Sequence, residues 1–371
     1  MVQTAYGLAF PIIVLDDVDV PEMLRNVQDH TLVVQVVEYG TGSGRDIVTI
    51  DKKTKSTLPR IVKHASSKES FLVVNGVRDP VLKIESNVFY RFRLLHAGVD
   101  GWLNVVLEDE DGNNDSTCEL WTLARDGHYL KNPRKIEEQY VLIPPGSRLD
   151  FLMRCENAAS TPRLVSRNVR DVVNGLLGPN SMVWDGSLIR FKVTPSHYLS
   201  SSSSSSISNP NSLSILNTHP DLRFTKEKNI RRVRFTWTQS KGKDKAGYTL
   251  YGINGELYPV SQRPVLNVKL GQVQEWIFDS GGYNVPEAHP LHLHTNAFQI
   301  IHVIAPGCKN NQTCAQLDYK IGDWRDTITV PYQGSVTIRW RPVDFSGKSL
   351  AHCHILAHED EGMMMAFNIV L

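Results

Sequence analysis

The sequence has no apolar run of about 18 residues, so no segment is long enough to cross a membrane as a helix. It has no excess of either charge. Its 40 Lys and Arg face 39 Asp and Glu, and the net charge of +1 gives no general electrostatic hold on nucleic acid or on a charged membrane surface. The N-terminal MVQTAYGLAFPIIVLDD has neither a basic leader nor a long apolar core and does not read as a signal peptide. No stretch keeps a helical period over several turns. Cysteine is scarce, and the count of five leaves at least one thiol unpaired. Cys308 with Cys314 and Cys118 with Cys155 are two candidate pairs, and spacing alone does not fix the connectivity. Those pairs and the sequons at Asn311 and Asn114 point toward a secreted protein.

What is present is strand. TLVVQVV, SFLVVNG, VLKIE, VFYRFRLL and EQYVLI are short β-branched or aromatic runs separated by Gly, Asn, Asp and Pro, the spacing of a β-sandwich or barrel. With 41% hydrophobic and 21% charged residues the chain can bury real cores, and 371 residues predict about two or three domains. The serine-rich SHYLSSSSSSSISNPNS breaks the composition and reads as a solvated linker. A weak repeat flanks it. PVLKIESNVFYRFRLL follows an Asn75-Gly76 turn, and PVLNVKLGQVQEWIF follows Asn254-Gly255. Two related β-domains joined by the linker are the simplest reading.

The histidines are not spread evenly. Of 13, seven fall between residues 289 and 358, and six of those form two clusters. HPLHLH holds His289, His292 and His294, and HCHILAHEDEGMM holds His352, Cys353, His354, His358 and Met363. Successive side chains of a strand point to opposite faces. In an extended chain His352 and His354 therefore share one face, as do His292 and His294, while Cys353 points to the other and can meet His289 and His358. Two metal sites joined through one tripeptide are the result. A thiolate, two imidazoles and a thioether form the blue-copper electron-transfer set. Structural zinc favours paired CxxC or CxxH elements, which are absent, and non-haem iron wants a carboxylate in place of Cys353.

These two motifs resemble the C-terminal signatures of the multicopper oxidases, the family of laccases, bilirubin oxidases and ferroxidases. Residues 20–195 resemble the family's second cupredoxin domain through LVVNGVRDP, RFRLLHAG, ARDGHYL and PPGSRLDFL. Residues 225–371 resemble its third through INGELY, VQEWIF and WRDTITVP, with 196–224 as the linker. The resemblance implies an all-β fold of tandem cupredoxin-like Greek-key sandwiches. It implies that His289, Cys353 and His358 bind type 1 copper with Met363 axial. His292 would bind type 2 copper, and His294, His352 and His354 the type 3 pair. Cys353 would pass electrons to His352 and His354, and Glu359 would occupy the place of a carboxylate that moves protons. The implied partners are a small-molecule electron donor, phenolic or pigment-like, and O2.

Half of the family's trinuclear histidines come from a first domain, in HxH pairs that do not occur here before His292. His30, His64, His96 and His128 are isolated and read as ordinary residues. In the family the second of those pairs leads into a Gln and then a Gly-Leu. Gln3 and Gly7-Leu8 resemble that stretch, so residues 1–19 are expected to be the last strand of a truncated first domain. The type 1 set is then complete and the type 2/type 3 set half present. Two functions are compatible with this: an oxidase in the complete protein or with another chain supplying the histidines, or a chain that binds type 1 copper and carries electrons without reducing O2. A ferroxidase would use acids beside His289 and His358, for which Glu287, Glu359, Asp360 and Glu361 are the candidates.

Overall fold

The structure is a computed structural model. It describes residues 4, 8–13, 22–40, 48–50, 57–59, 68–115, 117–136, 140–168, 175–196, 207, 209–213, 219–227, 230–243, 249–258, 264–280, 287–306 and 320–371. His64, the serine tract and the Cys308 and Cys314 loop lie outside them.

The expected all-β architecture is found, with helix among the described residues limited to short turns such as Glu22–Arg25 and Leu356–Glu361. In the N-terminal half one sheet runs Lys68–Val74, Asp29–Gly40, Tyr90–His96, Arg148–Cys155, Cys118–Arg125, His128–Lys135. The facing sheet runs Val141–Ile143, Trp102–Glu108, Arg163–Ser166, Gly186–Thr194, Val81–Glu85. The C-terminal half repeats this order. One sheet runs Thr249–Ile253, Arg231–Lys243, Gln274–Asp279, Ser335–Trp340, Phe298–Ile304, Trp324–Arg325. The other runs Asn267–Lys269, Met364–Val370, Gly347–Cys353, His289–Leu293, Thr327–Val330.

The duplication extends to direction. Asp29–Gly40 lies parallel to Tyr90–His96, and Arg231–Lys243 parallel to Gln274–Asp279. The Asn-Gly turns repeat as well. Asn75 and Gly76 have φ of 52° and 77°, and Asn254 and Gly255 have 55° and 82°, the left-handed pair that a tight hairpin needs. Cys118 and Cys155 are register partners on adjacent strands and form a disulfide.

Large aromatic side chains fill the cores because each strand turns alternate residues inward. Phe92 stacks on Phe151 in the N-terminal half. Trp276, Trp340 and Phe367 meet edge to face in the C-terminal half. The C-terminal core continues into the N-terminal half through Trp102, Leu142, Leu176, Leu177 and Val183. Polar contacts run along the same seam. Trp102 donates to Thr329 Oγ1 (3.0 Å), Ala288 N to Leu177 O (2.7 Å) and Leu356 N to Val99 O (2.9 Å). The histidine-bearing strands are therefore pressed against the N-terminal sandwich.

His96 sits in that seam with no solvent exposure. Its Nδ1 accepts from Gly98 N and its Nε2 lies 3.0 Å from Gly101 O, so both nitrogens are used by a neutral ring. Burial lowers its pKa from 6.5 to about 4. The unfolded chain then binds a proton that the folded chain refuses. Stability is intact above pH 6.5 and is lost as pH falls toward 4, by up to about 3 kcal/mol. Unfolding midpoints measured across that window should show this slope, and His96→Gln should flatten it.

Candidate metal centre

The site is built on two neighbouring strands. His289–Leu293 pairs antiparallel with Gly347–Cys353, setting Leu291 opposite Cys353 and His292 opposite His352. In a strand, residues three apart face opposite ways, so His289 and His292 are sent to different sides. After Cys353 the chain turns through Ile355 into the helix Leu356–Glu361, which returns His358 to Cys353. Gly362 ends that helix at φ 123°, and its N–H bonds His358 O and Glu359 O.

On one side Cys353, His289 and His358 converge. Cys353 Sγ lies 3.6 Å from His289 Nδ1 and 3.8 Å from His358 Nδ1, and the two nitrogens are 3.2 Å apart. One ion with bonds of about 2.0–2.3 Å spans ligand separations of about 3.3–3.7 Å, so the three atoms fit a single small cation. All three residues are buried. Burial pushes the Cys353 thiol well above its usual range, with Glu287 and Glu359 adding to the effect, so an ion entering here must displace a proton. Met363 is fully buried, its backbone O accepting from Cys353 N (3.0 Å) and its N donating to His358 O (2.8 Å). The soft donor set of a thiolate and two imidazoles, with Met363 buried in the same core, fits copper.

Two residues lean on this group from outside. Tyr251 stacks on His358 with ring centres 4.0 Å apart and donates to Glu287 Oε1 at 2.8 Å. Glu287 Oε1 lies 3.6 Å from His358 Nε2, so the carboxylate and Nδ1 work at opposite ends of the ring. Sequence reasoning named Glu287 only as an acid beside the cluster and missed Tyr251, which lies in the TLYGI strand with no local signature.

On the other side His292, His294 and His352 form the second convergent group. His294 Nε2 and His352 Nε2 are 3.0 Å apart. His292 Nδ1 lies 3.1 Å from Asp326 O and 3.0 Å from Thr327 Oγ1. Asp326 was not picked out individually from WRDTITVP. Arg148 of the N-terminal sandwich grips it with two bonds of 2.8 and 2.5 Å. Despite burial, His292 and Arg148 hold its carboxyl far below the usual range. Glu359 Oε2 is 3.5 Å from His352 Nδ1, and burial raises the Glu359 pKa.

His354 lies on the same side, its ring centre 5.7 Å from those of His292 and His352. The strand ends at Cys353, and a Cβ placed on Gly146 would collide with His354 Nε2. His354 Nδ1 has no hydrogen-bond partner among the described residues. His30 stacks on Phe92, His128 pairs with His219 at 2.8 Å, and neither belongs to the histidine groups.

The multicopper oxidase family model matches residues 225–370, which hold every residue of both groups. This C-terminal part of the chain matches the multicopper oxidase family. A laccase of Bacillus stratosphericus is 27% identical over 311 residues, covering 81% of this chain and 54% of that protein. A bilirubin oxidase of Albifimbria verrucaria is 25% identical, covering 80% of this chain and 47% of its own length. The chain thus spans about half the length of the curated relatives it matches. Two solved multicopper oxidases show the same fold. McoA of Aquifex aeolicus is 20% identical with a TM-score of 0.63, covering 93% of this chain and 66% of McoA. A metallo-oxidase of Campylobacter jejuni is 18% identical with a TM-score of 0.64, covering 94% of this chain and 65% of its own.

Proposed function

We propose that this chain accepts single electrons from a phenolic or pigment-like donor at the Cys353 group and passes them to the neighbouring histidines. The observation that carries the reading is the convergence of Cys353 Sγ, His289 Nδ1 and His358 Nδ1 in a buried pocket. Its thiol residue is covalently flanked by His352 and His354. Copper held by Cys353, His289 and His358 would supply one-electron exchange, with Met363 as a further candidate donor. The route from Cys353 to His352 and His354 is then a short stretch of backbone, reinforced where His352 Nδ1 lies 3.0 Å from Cys353 O.

The donor is read from the laccase and bilirubin oxidase relatives, and their names supply its class. Glu359 beside His352, with a pKa raised by burial, suits a carboxylate that hands on protons during oxygen reduction. Coupling to O2 reduction belongs to the proposal for the whole protein, with histidines beyond these four supplied elsewhere in it or by another chain. The second reading, an electron carrier, needs only the Cys353 group. A secreted location is also proposed, supported by the Cys118–Cys155 disulfide.

The test uses the copper-loaded chain without oxygen. A phenolic donor should bleach its blue band, and readmitted air should restore the colour if oxygen is the acceptor. Bleaching without recovery would favour the carrier reading. A blue chain that no phenol or pigment bleaches would overturn the donor class.

A further inference from the structure

We propose that the N-terminal sandwich holds a binding site for a small neutral phenol, separate from both histidine groups. The site is a cavity of about 280 Å³ between the two sheets, and its described lining residues all fall between Val105 and Phe151. It stands independently of the metal and the electron donor proposed above.

Protein interiors pack densely, with few voids larger than a water molecule. Here Val105 and Leu107 of one sheet and Leu120, Ile136, Leu149 and Phe151 of the other line a space well beyond that size. Leu120, Ile136 and Cys118 pack against the core yet stay half-buried, which marks the open side of the cavity. An apolar cavity of about 150 Å³ takes up benzene. A space of about 280 Å³ therefore accepts one ring with a short substituent, with Phe151 as an aromatic wall.

Strand alternation decides which polar groups meet the ligand. Lys135 is the register partner of Trp121, and Glu119 of Arg154, so each pair shares a face. That face is the outer one, where Trp121 packs with Leu123 and Leu152. Glu119 is bonded there to Trp121 Nε1 at 3.0 Å and to Arg154. Asp115 is what remains for the cavity. It is buried, and its N donates to Leu107 O at 3.1 Å. Its Oδ1 accepts from Thr117 N and Thr117 Oγ1, both at 2.6 Å, while its Oδ2 has no partner among the described residues.

One spare acceptor beside apolar walls selects a ligand with one donor. A phenol hydroxyl donates to Asp115 Oδ2 and brings no further polar hydrogen into the cavity. An ammonium would bury two more N–H groups against aliphatic side chains, which is unfavourable. A carboxylate would meet Asp115 with like charge.

The test uses the full chain before copper is added, so that no phenol is consumed, and titrates 4-ethylphenol calorimetrically. One saturable site is expected. Ethylbenzene, which lacks the hydroxyl, should bind at least about tenfold more weakly. Asp115→Asn should weaken 4-ethylphenol by a similar factor and leave ethylbenzene unchanged. Leu120→Trp should fill the cavity and abolish binding of both, with circular dichroism and denaturant unfolding showing that each variant is folded. If Leu120→Trp does not fold, the methyl resonances of Ile136 and Leu149 in the native chain report the site, and both should shift as 4-ethylphenol is added. Equal affinities for the two probes would overturn the proposal, as would tighter binding of phenethylammonium or no saturable binding. Binding kept in a folded Leu120→Trp, or unmoved Ile136 and Leu149 methyls, would place the phenol elsewhere and overturn it too.

Discussion

Copper-loaded protein is expected to be intensely blue, and Cys353→Ser should abolish the colour. The band comes from charge transfer out of a thiolate, and Cys353 is the only free cysteine among the described residues. A serine hydroxyl is a hard donor that stays protonated, so the substitution removes both the chromophore and the softest ligand. His289 and His358 remain, and copper affinity at this site should fall by at least about tenfold while the colour vanishes. The metal-free protein is affected less. Serine buries a hydroxyl where a thiol had been, and Ile355 N, which donates to Sγ at 3.4 Å, keeps a partner. The cost to folding should be about 1–3 kcal/mol, read from denaturant unfolding. A blue band surviving in the variant would mean that the thiolate belongs to another residue and that the centre has been misplaced.

What the sequence made legible was local. Strand alternation sorted His289 from His292, because three positions along an extended chain reverse the side of the sheet, and the paired strands keep that division. The strand runs and the Asn-Gly turns at Asn75 and Asn254 were readable for the same reason, since each is specified within a few residues. Alternation also set His354 beside His352, and the two ring centres lie 5.7 Å apart although the strand stops at Cys353. Contacts made over long separations left no local mark. Arg148 and Asp326 are 178 positions apart, and Tyr251 and Glu287 are 36 apart. No period or motif joins such residues, so they emerge only once two sandwiches pack together. The parallel pairings within each half were hidden likewise, because a run of apolar residues carries no direction.

That packing carries the second large prediction. Gly146 lies at φ +78° in the turn before Arg148, and its missing side chain is the space that His354 fills. Gly146→Val is expected to cost about 4 kcal/mol, combining the strain of a β-branched residue in the left-handed region with the overlap on the ring. Gly76 separates the two contributions. It has a nearly identical φ of +77° but nothing within 4 Å of an added Cβ, so Gly76→Val bears the backbone strain alone. The difference between the two variants, measured as unfolding free energies in denaturant, reads the closeness of the Gly146 and His354 contact. Equal losses would place His354 away from the N-terminal sandwich and free it to turn toward His352. A larger loss at Gly146 would fix the N-terminal half as the wall against which the histidine cluster is assembled. Arg148, two residues further along the same turn, would then couple the packing of the halves to the orientation of Asp326 and, through it, of His292.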